Sequence, residues 1–290
     1  MKRVPLPSDL TNPIHLADWL EILALNSADG NASHADLQRN LNRLGAHNTD
    51  ELCIGAMTEL NKRIVAAGDN YPFTFSGTLL SLKGHWKEFT PYIFCLLLSV
   101  CDNKKKRIAG INHEMMFEQL SCLAASNYVG GKALRFGAPR KELPPAFGDA
   151  LLKVCAEVNE WGFPSGKRVL HRKDDGLDLI AWKPFADRQI GKLVLFGHCA
   201  SGHDWGDKIN ELRPDVFCSR WLGGDKSPIV KTFFIPHRVP SEKWDHHAIA
   251  AKLFFDRCRI AYWVRNDDFS TATEGTNIRW CQRIFDKVWK

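Results

Sequence analysis

Apolar residues recur at helical spacing through most of the first hundred positions. Leu16, Leu20, Leu23 and Ala24 form a stripe after Pro13, and Ser33 with Asp36 makes a capping-box pattern ahead of a second helix ending near Gly45. A third helix, capped by Thr49, runs over 50–67 with Leu52, Ile54, Met57, Leu60 and Ile64 on one face and stops at Gly68. Residues 71–75 read as a short extended segment and 88–101 as a strongly apolar, buried helix. Two more helices are expected over 112–128 and 147–161, the first closed by Gly130-Gly131.

From Lys167 onward the pattern changes to short apolar runs bounded by turn formers. Strands are expected over 168–171, 177–182 and 192–197, then a polar turn at 201–204, a helix through Lys208 to Leu212 and a strand over 229–235. A long helix over 244–264 and an amphipathic helix over 277–290 complete the chain. The order helix, strand, strand, strand, helix, strand predicts an α/β fold, a small mixed sheet flanked by helices. Apolar density falls over 101–107, which places the boundary between a helical accessory or regulatory domain, 1–105, and an α/β domain, 106–290.

Composition narrows the class. A chain of 290 residues with 44% hydrophobic content can bury a large core. Its longest apolar stretch, 92–100, is far short of the ~20 residues that span a bilayer, and no signal-peptide core opens the sequence, so a cytoplasmic protein without membrane contact is expected. None of the nine cysteines forms a Cys-x-x-Cys pair, which points to reduced, buried thiols. The formal net charge of +6 is mild, but the positive residues cluster. Lys104, Lys105, Lys106 and Arg107 form one run, and Lys167, Arg168, Arg172 and Lys173 precede an acidic segment, where they would offset phosphate repulsion.

That segment carries the candidate chemistry. Asp178 interrupts the apolar run of 177–182, and His198 stands twenty residues on, in the run of 192–200. A carboxylate inside an apolar strand has a desolvation cost that a metal or hydrogen bonds must offset. The Gly-x-Asp strand, the spacing and the helix that follows resemble the PD-(D/E)xK, restriction-endonuclease-like superfamily over residues 110–265. The resemblance implies a restriction-endonuclease-like core in which an Asp on one strand and a Glu-x-Lys on the next surround a divalent metal, magnesium or manganese. His198-Cys199-Ala200 stands where that tripeptide belongs. His198 is then a metal ligand or a neutral general base, and favours manganese over magnesium. Lys208 matches a catalytic lysine moved to the following helix. Glu118 matches the acidic residue of the first core helix, with Glu157 as its competitor.

The activity implied is metal-dependent cleavage of phosphodiester bonds, in DNA, by an antiviral defence effector that works with a separate sensor or motor protein. Lys104–Arg107, Arg172 and Lys173 would contact the nucleic acid. Loss of the Glu-x-Lys tripeptide supports an alternative, a catalytically degenerate nuclease-like fold that binds nucleic acid or scaffolds a complex. In a third reading, Cys199 at the tip of a strand–turn–helix is the nucleophile of a hydrolase.

Overall fold

The computed structural model describes residues 4, 6–7, 9–162, 173–224, 227–269 and 271–288. Its elements run α1 (Pro13–Asn26), β1 (Asn31–Ser33), α2 (His34–Arg43), α3 (Thr49–Ala67), β2 (Phe73–Phe75), β3 (Leu79–Leu82), α4 (Thr90–Val100), α5 (Asn103–Lys106), α6 (His113–Val129), β4 (Lys132–Arg135), α7 (Phe147–Val158), β5 (Leu179–Trp182), β6 (Val194–Cys199), α8 (Trp205–Lys208), α9 (Pro214–Trp221), β7 (Ile229–Phe234), α10 (Ser241–Ala251), β8 (Leu253–Phe255), α11 (Arg257–Trp263) and α12 (Thr271–Val288). Contacts divide the chain into two compact units, one of residues 1–112, 237–240 and 257–290, the other of 113–236 and 241–256. The expected strand over 168–171 lies outside the described residues.

The first unit combines helices with a three-stranded antiparallel sheet, β1-β3-β2. Asn12 starts α1 by accepting the Ile14 amide at 3.0 Å, and the Ser33–Asp36 capping box starts α2 as its sequence predicts. Strand β2 falls on the extended segment expected over 71–75, whereas β1 and β3 depart from the helical expectation. Strands of three and four residues are too short to display alternation, and Gly77, at φ +84°, closes the β2–β3 turn in a conformation open to glycine. Helix α4 is buried on every side; Ile93, Phe94, Leu96, Leu97 and Leu98 are fully covered.

Charges also lie inside this unit. The buried guanidinium of Arg63 pairs with Asp18 (2.7 Å), Glu21 (2.9 Å) and Glu59 (2.9 Å). Arg257 pairs with Asp18, Arg238 with Glu59 at 3.1 Å, and the hydroxyls of Tyr71 and Tyr92 donate to Glu21 at 2.7 and 2.8 Å. Three carboxylates thus meet three guanidiniums, and this balance makes the burial tolerable.

The second unit is a mixed α/β layer structure with sheet order β4-β5-β6-β7-β8. β4, β5 and β6 are antiparallel neighbours, and helical connections carry the chain from β6 to a parallel β7 and on to a parallel β8. On one face Phe147, Val154, Phe196 and Phe217 join Ile180 and Trp182 in a closed apolar core; α6 packs against β4, β5 and β6. The helix expected over 244–264 is broken. Lys252, at φ +67°, ends α10, and the next residues pair with β7, where Phe255 stacks on Phe234 at 4.8 Å. Burying two aromatic residues beside β7 outweighs continuing an amphipathic helix.

Candidate functional site

The β5–β6 ladder runs from Trp182 opposite Val194 to Leu179 opposite Gly197. One residue further, the Asp178 amide donates to the Gly197 carbonyl at 2.9 Å, and the Asp178 carbonyl accepts the Phe136 and Gly137 amides at 2.7 and 3.0 Å. Backbone bonds on both flanks therefore fix Asp178 at the strand end. Its Oδ2 accepts the Cys199 amide at 2.7 Å and lies 2.8 Å from His198 Nδ1. Both side chains are nearly buried, Asp178 at 7% and His198 at 8% exposure.

Beyond the ring, His198 Nε2 lies 3.3 Å from Oε2 of Glu211, an exposed side chain. Nε2 makes no well-aligned hydrogen bond among the described residues, so Glu211 acts on the ring through its charge. Burial pulls the ring toward its neutral form, but the hydrogen bond and charge of Asp178, reinforced by Glu211, outweigh it and raise the His198 pKa. The direction of that shift runs against the neutral base or ligand that the sequence suggested.

Glu118 approaches from α6. Its Oε2 lies 2.6 Å from Nε of Arg135 on β4, and both side chains are largely covered. A Cβ on Gly137 would strike this carboxyl group, so the glycine leaves it room. Burial and then the charge of Asp178 push Glu118 up to about 8, with Arg135 pulling only part of the way back. The shift shows that Glu118 and Asp178 share one electrostatic environment. The Cys199 thiol lies there too, and burial, then Asp178 and Glu118, raise its pKa well above the ordinary value. A nucleophilic cysteine needs the opposite shift.

Lys208 closes the short helix α8, where its Nζ lies 3.2 Å from Asp204. The Glu211 amide donates to the Lys208 carbonyl at 3.0 Å, so the same turn carries Lys208 and delivers Glu211 to His198. Glu157 is exposed on α7, leaving Glu118 as the helical acid at the site. Asp174 and Asp175 form a turn; Asp175 accepts the Trp221 indole N–H at 2.9 Å.

The basic residues are dispersed. Lys104 and Arg107 are exposed in the first unit, while Lys106 is buried, which removes its ammonium from a surface role. The Lys105 side chain and Arg172 lie outside the described residues, and Lys173 is exposed. Arg135 and Glu211 went unnoticed in the sequence. The run Lys132-Ala133-Leu134-Arg135 after the double glycine was the available signal for Arg135; Glu211 had none.

A metal fits this donor set in one form only. Among the described residues no three His, Cys, Asp or Glu side chains lie at ligand spacing, so a closed, all-protein site of the zinc kind is not assembled. Magnesium and manganese need only one or two carboxylates, with water and substrate phosphate completing the shell. Asp178 and Glu118 supply that pair, and the buried Glu118 Oε2 has no well-aligned hydrogen bond among the described residues. No protein-family model matches the chain, and neither a curated protein nor a solved structure matches it.

Proposed function

We propose that the second unit is a metal-dependent phosphodiesterase of the restriction-endonuclease-like kind, acting on nucleic acid with DNA as the substrate. One observation carries the reading: buried Asp178 and partly buried Glu118, which meet around Gly137, lie at the same end of three antiparallel strands, in a sheet that continues through a helical crossover into a parallel strand. Magnesium or manganese held by Asp178 and Glu118 would supply Lewis-acid polarisation of the phosphate and an activated water.

The chain's own residues do the positioning. The Cys199 amide and His198 orient Asp178 through Oδ2, and Oδ1 would be available to a cation. His198, when protonated between Asp178 and Glu211, would offer a positive charge where the family carries an acid, and Lys208 would add a second cation once Asp204 releases it. Each would offset charge developing on the phosphate oxygens. As an effector of this kind, the protein would act with a separate sensor or motor protein. No helix among the described residues is long and apolar enough to cross a membrane.

A second reading has its own support. Arg135 already gives Glu118 a cation at 2.6 Å, as expected of a degenerate nuclease fold that binds nucleic acid without cutting it. Incubation of plasmid with manganese or magnesium separates the two. Cleavage that is lost in Asp178→Ala supports the enzyme, and retarded mobility without cleavage supports the scaffold.

A further inference from the structure

Trp205 opens α8 on the second unit with its ring half-buried. It packs against His247 of α10 at 4.7 Å between centroids and against Phe254 of β8 at 6.0 Å. Its inner side meets Phe233 at 6.5 Å, and Phe233 touches the His198 ring at 5.7 Å. A single phenyl ring therefore separates Trp205 from the Asp178–His198 pair. Core packing accounts for Phe233 and Phe254, which are covered. It does not account for Trp205 and His247, which keep exposed ring surface a short distance from the buried carboxylates.

An exposed aromatic pair can receive either a cation over its face or another flat ring. The substrate of the function proposed above decides between them. Burial, then His246 and Lys243, lower the His247 pKa. Lys208 lies one turn along from Trp205. Asp204 and Asp207 offset Lys208 on α8, and Glu242 and Asp245 offset Lys243 on α10, so charge does not select the ligand, and the nucleic acid proposed above supplies the flat ring.

We infer that Trp205 and His247 form a stacking platform for an unpaired nucleobase of the strand whose phosphodiester lies at Asp178. The inference rests on the function proposed above and names its substrate: single-stranded or locally unpaired nucleic acid. Stacking needs an open base face, which a continuous duplex does not offer away from its ends. A strand crossing the site would place a base on the platform within a few nucleotides of the phosphate.

Fluorescence anisotropy in excess chelator measures binding without turnover, with a fluorescein-labelled single strand and its duplex as probes. Trp205→Ala should weaken single-strand binding roughly tenfold, the loss typical of one stacked base, and leave duplex binding within about twofold. Trp205→Phe, which keeps a ring, should recover most of the affinity. Unchanged single-strand binding by Trp205→Ala would overturn the platform, as would equal losses for single strand and duplex. Failure of the enzymatic reading looks different: wild-type protein would show the single-strand preference and its Trp205 dependence but cut nothing with manganese.

Discussion

Glu118 is a carboxyl group held protonated by its surroundings, and the metal-free protein should reveal it. Its folded pKa, about 8, lies above the ordinary 4.5, so the unfolded chain releases a proton that the folded chain keeps. Stability is therefore lost as pH rises from about 4.5 to about 8, by up to roughly 1.4 kcal/mol per pH unit from this group. In chelator, Glu118→Gln should remove that slope and melt above the wild type at pH 7.5; parallel melting curves from pH 5 to 8 would refute the shift. His198 has the same sign. Its raised pKa stabilises the fold below 6.5 and the benefit fades as pH passes the folded value. Asp178 and His198 were legible in the sequence because each interrupts an apolar run. Arg135 was not, because what makes it matter is Glu118, seventeen positions earlier on a helix, and no local pattern encodes that contact.

Secondary elements were legible where one period lasts several turns. Helices α1, α2, α3, α6 and α7 start within a residue or two of their expected positions; side-chain caps set the starts of α1 and α2, whereas α3 begins at Thr49 after Asn48, without a side-chain cap, and α7 also starts uncapped. The break after Lys252 was hidden. Trp244, Ala248, Ala251, Phe255 and Cys258 keep helical spacing straight through it, and only the open edge of β7 decides that 253–255 pair as a strand. Two glycines test the site at this scale. At Gly197 a Cβ would lie 2.6 Å from Leu179 Cγ and 3.1 Å from Phe234 Cε2, so Gly197→Ala should destabilise the β5–β6 pair by about 1–3 kcal/mol through overpacking, read in urea unfolding. Gly137→Ala instead meets the Glu118 carboxyl. It should lower metal-dependent turnover at least tenfold with circular dichroism unchanged, a loss of about 1.4 kcal/mol in transition-state stabilisation; full turnover would show that Glu118 plays no part.

At the scale of the whole molecule, the charged 101–107 segment marked the neighbourhood in which one compact unit gives way to the next, and contacts place the change after Asn112. The return of 237–240 and 257–290 to the first unit left no compositional mark, because these residues alternate apolar and charged positions like any amphipathic stretch. Arg257 belongs to that return, and its pairing with Asp18 closes the buried charge network. Burial raises the Asp18 and Glu59 pKa values, but their arginine partners outweigh it and lower both. This contribution to stability is present above their ordinary values and lost as pH falls below about 4. Arg63→Ala should cost the first unit about 3–5 kcal/mol, because it strands buried carboxylates. A loss under 1 kcal/mol in denaturant unfolding would mean that water reaches the network.

The enzymatic reading meets its most direct test in plasmid and single-stranded circular DNA incubated with manganese, with chelator and with Asp178→Ala protein in parallel. Strand breaks made by the wild type only with the metal, and reduced at least a hundredfold in the variant, about 2.7 kcal/mol of lost transition-state stabilisation, are the predicted result. Intact DNA in every reaction, or cutting by the variant at the wild-type rate, would contradict it.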